Sequence, residues 1–255
     1  MVDRGLLAPW VEHPDTAAIV SDFDGTLSAI VDDPDEAQPL DGVVDALRVL
    51  ADRYARVAIV SGRPIQFLLD HFGDLQKVTL AGLYGLQRVV LGRPHHLPEA
   101  ERWRPVVAGA VARAAAEAPP GVVVEDKGLA ATLHYRLAPE HQDWAQRFAA
   151  ELSASTTLEA LFGRKSVEFR PPVHTDKGTV VADLAAGMTA VCFVGDDVGD
   201  LPAFATLARL RAEGVATLAV AAVSLEAPAD LLAAADVRVE GPPGALEFLR
   251  ALAPE

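Results

Sequence analysis

Short apolar runs alternating with helix-like segments constrain this chain more than any other feature. "TAAIVSDF", "RVAIVSG" and "KVTLAG" are rich in strand formers. Between them lie "DGVVDALRVLADRY", with Val44, Leu47, Val49 and Leu50 at helical spacing, and the short helix "IQFLLDHF". Strands joined through helices imply a parallel sheet covered on both faces, so the expected class is α/β. The last third resumes the pattern with helix "DKGTVVADLAAG", strand "TAVCFVGDD", helix "LPAFATLARLRA" and strand "VATLAVAA". A short helix near Leu231, strand "VRVEG" and helix "PGALEFLRALA" close it.

The middle changes character. A helix ending at Pro119, Pro120 and Gly121 precedes "VVVEDKG" and "LAATLHYR", two strands with a hairpin-like turn at Lys127-Gly128. A helix over Pro139 to Ser153 leads to strand "KSVEFR". This reads as an α+β insert. The expected organisation is a core over residues 1–100 and 174–255, interrupted by a cap over residues 101–173.

Composition narrows the function classes. The 255 residues carry a formal net charge of -14, which argues against a nucleic-acid partner and leaves room for a small anionic substrate if a metal or local cations mask the field. No run of about 18 apolar residues offers a membrane span, and "MVDRGLLAPWVEHPD" lacks the pattern of a signal peptide. Cys192 is the only cysteine, which excludes an intramolecular disulfide and suggests a reducing compartment. A cytoplasmic monomer acting on a small molecule is the expectation.

Ligands of open α/β sheets bind outside the carboxyl ends of the strands. Four polar stretches fall at such ends or open a helix: Asp22-Phe23-Asp24-Gly25-Thr26, Ser61-Gly62-Arg63, Thr175-Asp176-Lys177-Gly178 and Gly195-Asp196-Asp197 with Asp200. Each alone is an ordinary turn or cap. Together they gather carboxylates that repel one another unless a hard cation holds them. Mg²⁺ suits oxygen ligands plus a substrate phosphate. Lys177 adds a point charge for a phosphoryl oxygen and Ser61 a hydroxyl donor. An aspartate can attack phosphorus, and a second carboxylate two residues on can serve as acid and then base.

"DFDGT", "SGR", "DKG" and "GDDVGD", in that order, resemble the four motifs of the haloacid dehalogenase (HAD) superfamily of phosphohydrolases. The resemblance implies a Rossmann-like core with an inserted cap. It also implies Asp22 as nucleophile, Asp24 as acid/base, and Ser61 and Lys177 holding the phosphate, with Gly25, Thr26, Gly62 and Arg63 around them. It places Mg²⁺ on Asp22, the Asp24 carbonyl and Asp196, supported by Asp197 and Asp200.

"SGRPIQFLL", "LAGLYGLQ", "VEDKGLAATLHYR" and "VEFRPPVHTDKG" are similar to trehalose-6-phosphate phosphatases over essentially the whole chain. That family's sugar contacts fall on Glu125, Lys127, Arg136 and Glu168. The implied reaction releases phosphate from trehalose 6-phosphate through an aspartyl-phosphate. This chain departs from the family at Tyr84 and Gln87, where histidine and glutamate are common, and at Gly199 and Leu201, where threonine and glutamate are common. Tyr84 and Gln87 motivate an alternative sugar phosphate, such as sucrose phosphate or a glycosyl-phosphoglycerate. A signalling receiver shares the residue types, but its acidic pair precedes the phosphoacceptor, whereas here it comes last. His95-His96 reads as a loop and Cys192 as packed in a strand. His134 and His174 read as structural or solvated residues flanking the cap, with a rim role for His174 the lesser alternative. Trp103 and Trp144 read as cap-helix packing, with the sugar as an alternative partner for one of them.

Overall fold

The computed structural model describes residues 4–31, 36–163, 165–225 and 227–253, apart from the side chain of His96. The chain divides into two compact units, residues 1–95 with 175–255 and residues 96–174.

The first unit opens with α1 (Arg4–Glu12), β1 (Ala17–Ser21), α2 (Val43–Arg53), β2 (Arg56–Val60), α3 (Ile65–Phe72), β3 (Val78–Gly82), β4 (Gln87–Val90) and β5 (Arg93–His96). Next come α4 (Pro98–Glu101), α5 (Arg104–Glu117), β6 (Val123–Asp126), β7 (Ala131–His134), α6 (Gln142–Thr156), β8 (Glu159–Gly163) and β9 (Ser166–Arg170) of the second unit. The chain then returns with α7 (Lys177–Ala185), β10 (Ala190–Gly195), α8 (Leu201–Ala212), β11 (Ala216–Val223), α9 (Ala229–Ala234), β12 (Val237–Glu240) and α10 (Gly241–Leu252).

The first unit's sheet has the order β12-β11-β10-β1-β2-β3-β4-β5. The pairs from β12 through β3 are parallel, and β4 runs antiparallel to β3. All five residues of β1 are buried, as a central strand covered on both faces requires. The pleat divides the core in two. Ile19, Ile59, Cys192 and Val220 join one cluster with α1, α2, α3 and α10 residues; Val20, Val60, Phe193 and Ala221 join the other with α7, α8 and α9 residues. Each valine, isoleucine or phenylalanine among them contributes about 1.5–3 kcal/mol through its burial.

Three differences from the sequence reading have physical causes. Val49 is 43% exposed, because the buried stripe of α2 runs through Val43, Ala46, Leu47 and Leu50. His95 and His96 lie in edge strand β5 rather than a loop. The segment ahead of Pro119 is two helices, α4 and α5, instead of one.

In the second unit the strands pair antiparallel in the order β6-β7-β9-β8. Ala131, Leu133, Val167 and Phe169 point to one face and pack with Val107 of α5 and Phe148 of α6. Trp103 and Trp144 pack against that core. The alternate residues Glu125, Thr132 and Glu168 occupy one cross-strand row. No helix among the described residues is long and apolar enough to cross a membrane.

Candidate active site

β1 lies between β10 and β2, so the residues that follow these three strands emerge side by side at one sheet edge. The register aligns Ser21 with Val194 and with Ile59, and the Asp22 N–H donates to the Val194 carbonyl at 2.8 Å. Asp22, Ser61 and Asp196 therefore follow the ends of adjacent strands, and all three are buried.

Lys177 is brought in by the start of α7. Asp176 caps this helix: its carboxylate accepts from the Thr179 N–H at 2.7 Å, while Thr179 Oγ1 accepts from the Asp176 N–H at 2.9 Å. The next residue, Lys177, sends its ammonium 2.8 Å from Asp22 Oδ1 and 2.7 Å from Asp200 Oδ1. Asp200 is fully buried, and its second oxygen accepts from the N–H groups of Asp196 and Asp197 at 2.8 and 3.1 Å. Asp200 thus ties the ammonium to the turn after β10.

The loop after β1 interlocks with the same turn. Thr26 Oγ1 donates to Asp196 Oδ1 at 3.2 Å. Gly25 has φ +72°, and a Cβ there would run into the Asp196 carboxylate. Gly62 is matched to its neighbour in the same way, since a Cβ would meet the Tyr84 phenol. Tyr84 itself has φ 56°, in a turn whose N–H groups at Leu83 and Tyr84 donate to the carbonyls of Arg63 and Ser61. Gln87 Oε1 accepts from the Ile65 N–H at 3.1 Å, at the start of α3. An amide oxygen serves this capping role as a carboxylate would.

One ligand atom from each of Asp22, Asp196 and Asp200 lies within 4.8 Å of the others. Three buried carboxylates with one ammonium leave a net excess of negative charge. Burial, with Asp200 and Asp196 nearby, holds the Asp22 carboxyl well above the ordinary carboxylate range despite Lys177. Burial, then Asp200 and Asp197, push Asp196 up to about 7. Burial opposes the charge on Lys177, but Asp200 and Asp22 outweigh it and hold the ammonium above its usual range. Such a donor set, all oxygen and short of positive charge, fits a hard divalent cation.

The carboxylates of two residues expected around the metal, the supporting Asp197 and Asp24 (expected there through its carbonyl), lie outside this trio. Asp197 is exposed and turns its carboxylate back to accept from the Gly199 N–H at 2.5 Å, outside the buried trio. The Asp24 carboxylate also lies outside it, accepting from Arg63 Nε at 2.8 Å and Nη2 at 2.6 Å.

In the second unit, Lys127 Nζ lies 2.9 Å from Glu168 Oε2 and 3.6 Å from Glu125 Oε2. Thr132 Oγ1 donates to Glu168 at 3.3 Å, and His134 Nε2 lies 2.8 Å from Glu125 Oε2. Thr132 and His134 were missed as members of this group. The alternation in "LAATLHYR" carries the signal, because it puts both on the strand face opposite Ala131 and Leu133. Arg136 is exposed just past the end of β7 and takes no part in the group. Cys192 is wholly buried in β10, and burial pushes its thiol up to about 12.

The fold is that of the HAD-type phosphatases. It resembles the C. albicans trehalose-6-phosphate phosphatase C-terminal domain with a TM-score of 0.78 at 24% identity, covering 98% of this chain and 97% of that one. A trehalose-6-phosphate phosphatase related protein superposes with a TM-score of 0.78 at 20% identity, covering 91% of this chain and 95% of that one. Residues 20–232 match the Trehalose-phosphatase family, and the chain belongs to it. The trehalose-phosphate phosphatase of Mycolicibacterium paratuberculosis is 36% identical over 94% of this chain and 62% of its own length. That of Mycobacterium avium is 35% identical over the same shares. The chain thus spans less than two thirds of these curated relatives.

Proposed function

We propose that this chain hydrolyses trehalose 6-phosphate to trehalose and phosphate, with Mg²⁺ as the divalent cation. The observation that carries this reading is the pairing of Asp22 with Lys177 at the edge of the sheet. Lys177 engages Asp22 Oδ1, which leaves Oδ2 for attack on phosphorus. The Asp22–phosphorus bond forms as the ester oxygen departs with a proton from Asp24. Water then attacks the aspartyl-phosphate while Asp24 takes a proton back, and Asp22 is released. Lys177 offsets charge on the phosphoryl oxygens, and the Ser61 hydroxyl donates to one of them. Asp22, Asp196 and the Asp24 carbonyl would hold Mg²⁺, which supplies further neutralisation of the phosphate when bound.

Glu125 and Glu168, with Lys127 between them and Arg136 beyond the end of β7, are the proposed contacts to the sugar hydroxyls, because charged donors and acceptors read a hydroxyl pattern strongly. The test is phosphate release from trehalose 6-phosphate by the folded protein, with Mg²⁺ and with EDTA. Release that requires Mg²⁺ is expected, and none under either condition refutes the reading. A second reading, another sugar phosphate, draws on Tyr84, whose phenol packs on Gly62 where the family commonly has histidine. Comparing kcat/KM across trehalose 6-phosphate, sucrose phosphate and glucosyl-phosphoglycerate separates the two.

A further inference from the structure

The Arg63–Asp24 pair shares its two-armed geometry with the Arg104–Glu101 pair on a helix surface, but its arginine is far less exposed, 13% against 46%. Both arms of the guanidinium meet both oxygens of the carboxylate, at 2.8 and 2.6 Å. The Arg48–Asp45 pair is 52% and 81% exposed. The guanidinium lies over the Phe67 ring, 4.5 Å from its centroid. Phe67 meets Phe23 edge-on at 5.4 Å, and Phe23 is the fully buried residue between Asp22 and Asp24. The backbone of Arg63 is held as well. Its N–H donates to Ser61 Oγ at 3.1 Å, and its carbonyl accepts from the Leu83 N–H at 2.9 Å. So fixed a fork, aimed at one carboxylate, is a positioning device.

We propose that Arg63 is the positioning residue of Asp24: it fixes the carboxylate's plane and takes up the negative charge Asp24 acquires on releasing its proton. This rests on the phosphatase reading above. In the first half-reaction the Asp22 oxygen–phosphorus bond forms and the phosphorus–ester oxygen bond breaks. The Asp24 proton passes to the departing alkoxide. Asp24 is then the anion that the fork of Arg63 grips through both oxygens, the arrangement seen here. In the second half the proton of the attacking water returns to Asp24, and one oxygen stays on Arg63. Protons balance over the cycle with no other reactant.

Leaving-group dependence separates this role from plain phosphate binding. A sugar alkoxide needs the proton from Asp24, whereas p-nitrophenolate leaves without one. kcat/KM stops at departure of the leaving group, so it isolates the first half-reaction. For Arg63→Ala, kcat/KM on trehalose 6-phosphate is expected to fall by about 100-fold or more. On p-nitrophenyl phosphate it should fall by no more than about tenfold, a cost of roughly 1.4 kcal/mol. Added guanidinium ion should restore the alkyl ester preferentially. Arg63→Lys should behave as the alanine variant does, because an ammonium cannot fork.

Equal falls on both esters would overturn the proposal, and would mean that Arg63 only binds phosphate or supports the fold. Should Arg63→Ala not fold, Phe67→Leu removes the ring beneath the guanidinium and should lower the alkyl-to-aryl ratio in the same direction; an unchanged ratio there counts against the proposal. If the wild type prefers another alkyl phosphate, the trehalose reading fails and the comparison is made on that ester. A wild type that cleaves only the aryl ester would overturn both.

Discussion

Lys177 holds Asp22 with its ammonium 2.8 Å from Oδ1, in a setting where both side chains are nearly inaccessible. The same ammonium meets Asp200 at 2.7 Å, so one cation serves two acids that are 178 residues apart in sequence (200 − 22). Opposite consequences are expected for the two partners. Lys177→Met leaves buried carboxylates unpaired and should cost about 3–5 kcal/mol, lowering the melting temperature by roughly 6–20 °C. Asp22→Asn removes one acid from an excess and should fold at least as stably, while phosphate release falls by several orders of magnitude. Calorimetry and phosphate release on both variants check the pair. A stable Lys177→Met or an active Asp22→Asn contradicts it.

Stability should depend jointly on pH and divalent cation. The folded Asp196 carboxyl sits at about 7, above the ordinary value of 3.8. A raised carboxyl binds its proton more tightly in the folded state. Its favourable contribution is thus complete below the ordinary value and is lost as pH climbs through about 7. Asp22 shifts in the same direction. Mg²⁺ at about 100 times its dissociation constant should add about 2.7 kcal/mol at pH 8. At pH 5.5 protons compete, and the gain in melting temperature should be smaller. Equal gains at both pH values would be inconsistent with a cation held by these acids.

Two glycines in left-handed conformations give a matched comparison. Gly25 has φ +72° and faces the Asp196 carboxylate, whereas Gly187 has φ +78° with open space around it. Gly187→Ala should cost only the backbone strain, about 1–2 kcal/mol. Gly25→Ala should cost more and also lower activity, because Asp196 must move. Similar losses of stability with full activity in both would disprove the interlock.

On the second unit's sheet, Lys127→Ala should raise KM for the sugar phosphate by about tenfold or more, since a hydrogen bond to a charged group contributes about 1.5–3 kcal/mol. KM for p-nitrophenyl phosphate, which lacks the sugar, should change by less. Parallel changes in both would place Lys127 outside sugar recognition.

The central strands were legible because burial on both faces confines polar residues to their ends: β1, β2 and β10 are short apolar runs, with only Ser21 closing β1 and Arg56 opening β2. β5 reads "RPHH", with a proline and two histidines, and only its place at the sheet edge tolerates that composition. β8, "EALFG", is likewise an edge strand and was not anticipated. The convergence of Asp22, Ser61 and Asp196 was legible because each follows a strand. The opposed directions of Asp196 and Asp197 were not, since the turn geometry that separates neighbours in sequence is set by Asp200 accepting from both N–H groups. Nor could spacing announce the Arg63–Asp24 fork, which joins two loops 39 residues apart.

The middle strand of the large sheet has β2 on one side and β10 on the other, with Ala17 opposite Ala190. During synthesis, one flank of β1 therefore waits, with bare amides and carbonyls, until the ribosome has delivered the whole second unit. Polypeptides cut short before β10 carry an open hydrogen-bonding edge in their most apolar strand. They are expected to self-associate, and sensitivity to chaperone depletion should fall sharply once β10 (Ala190–Gly195) has emerged from the ribosome.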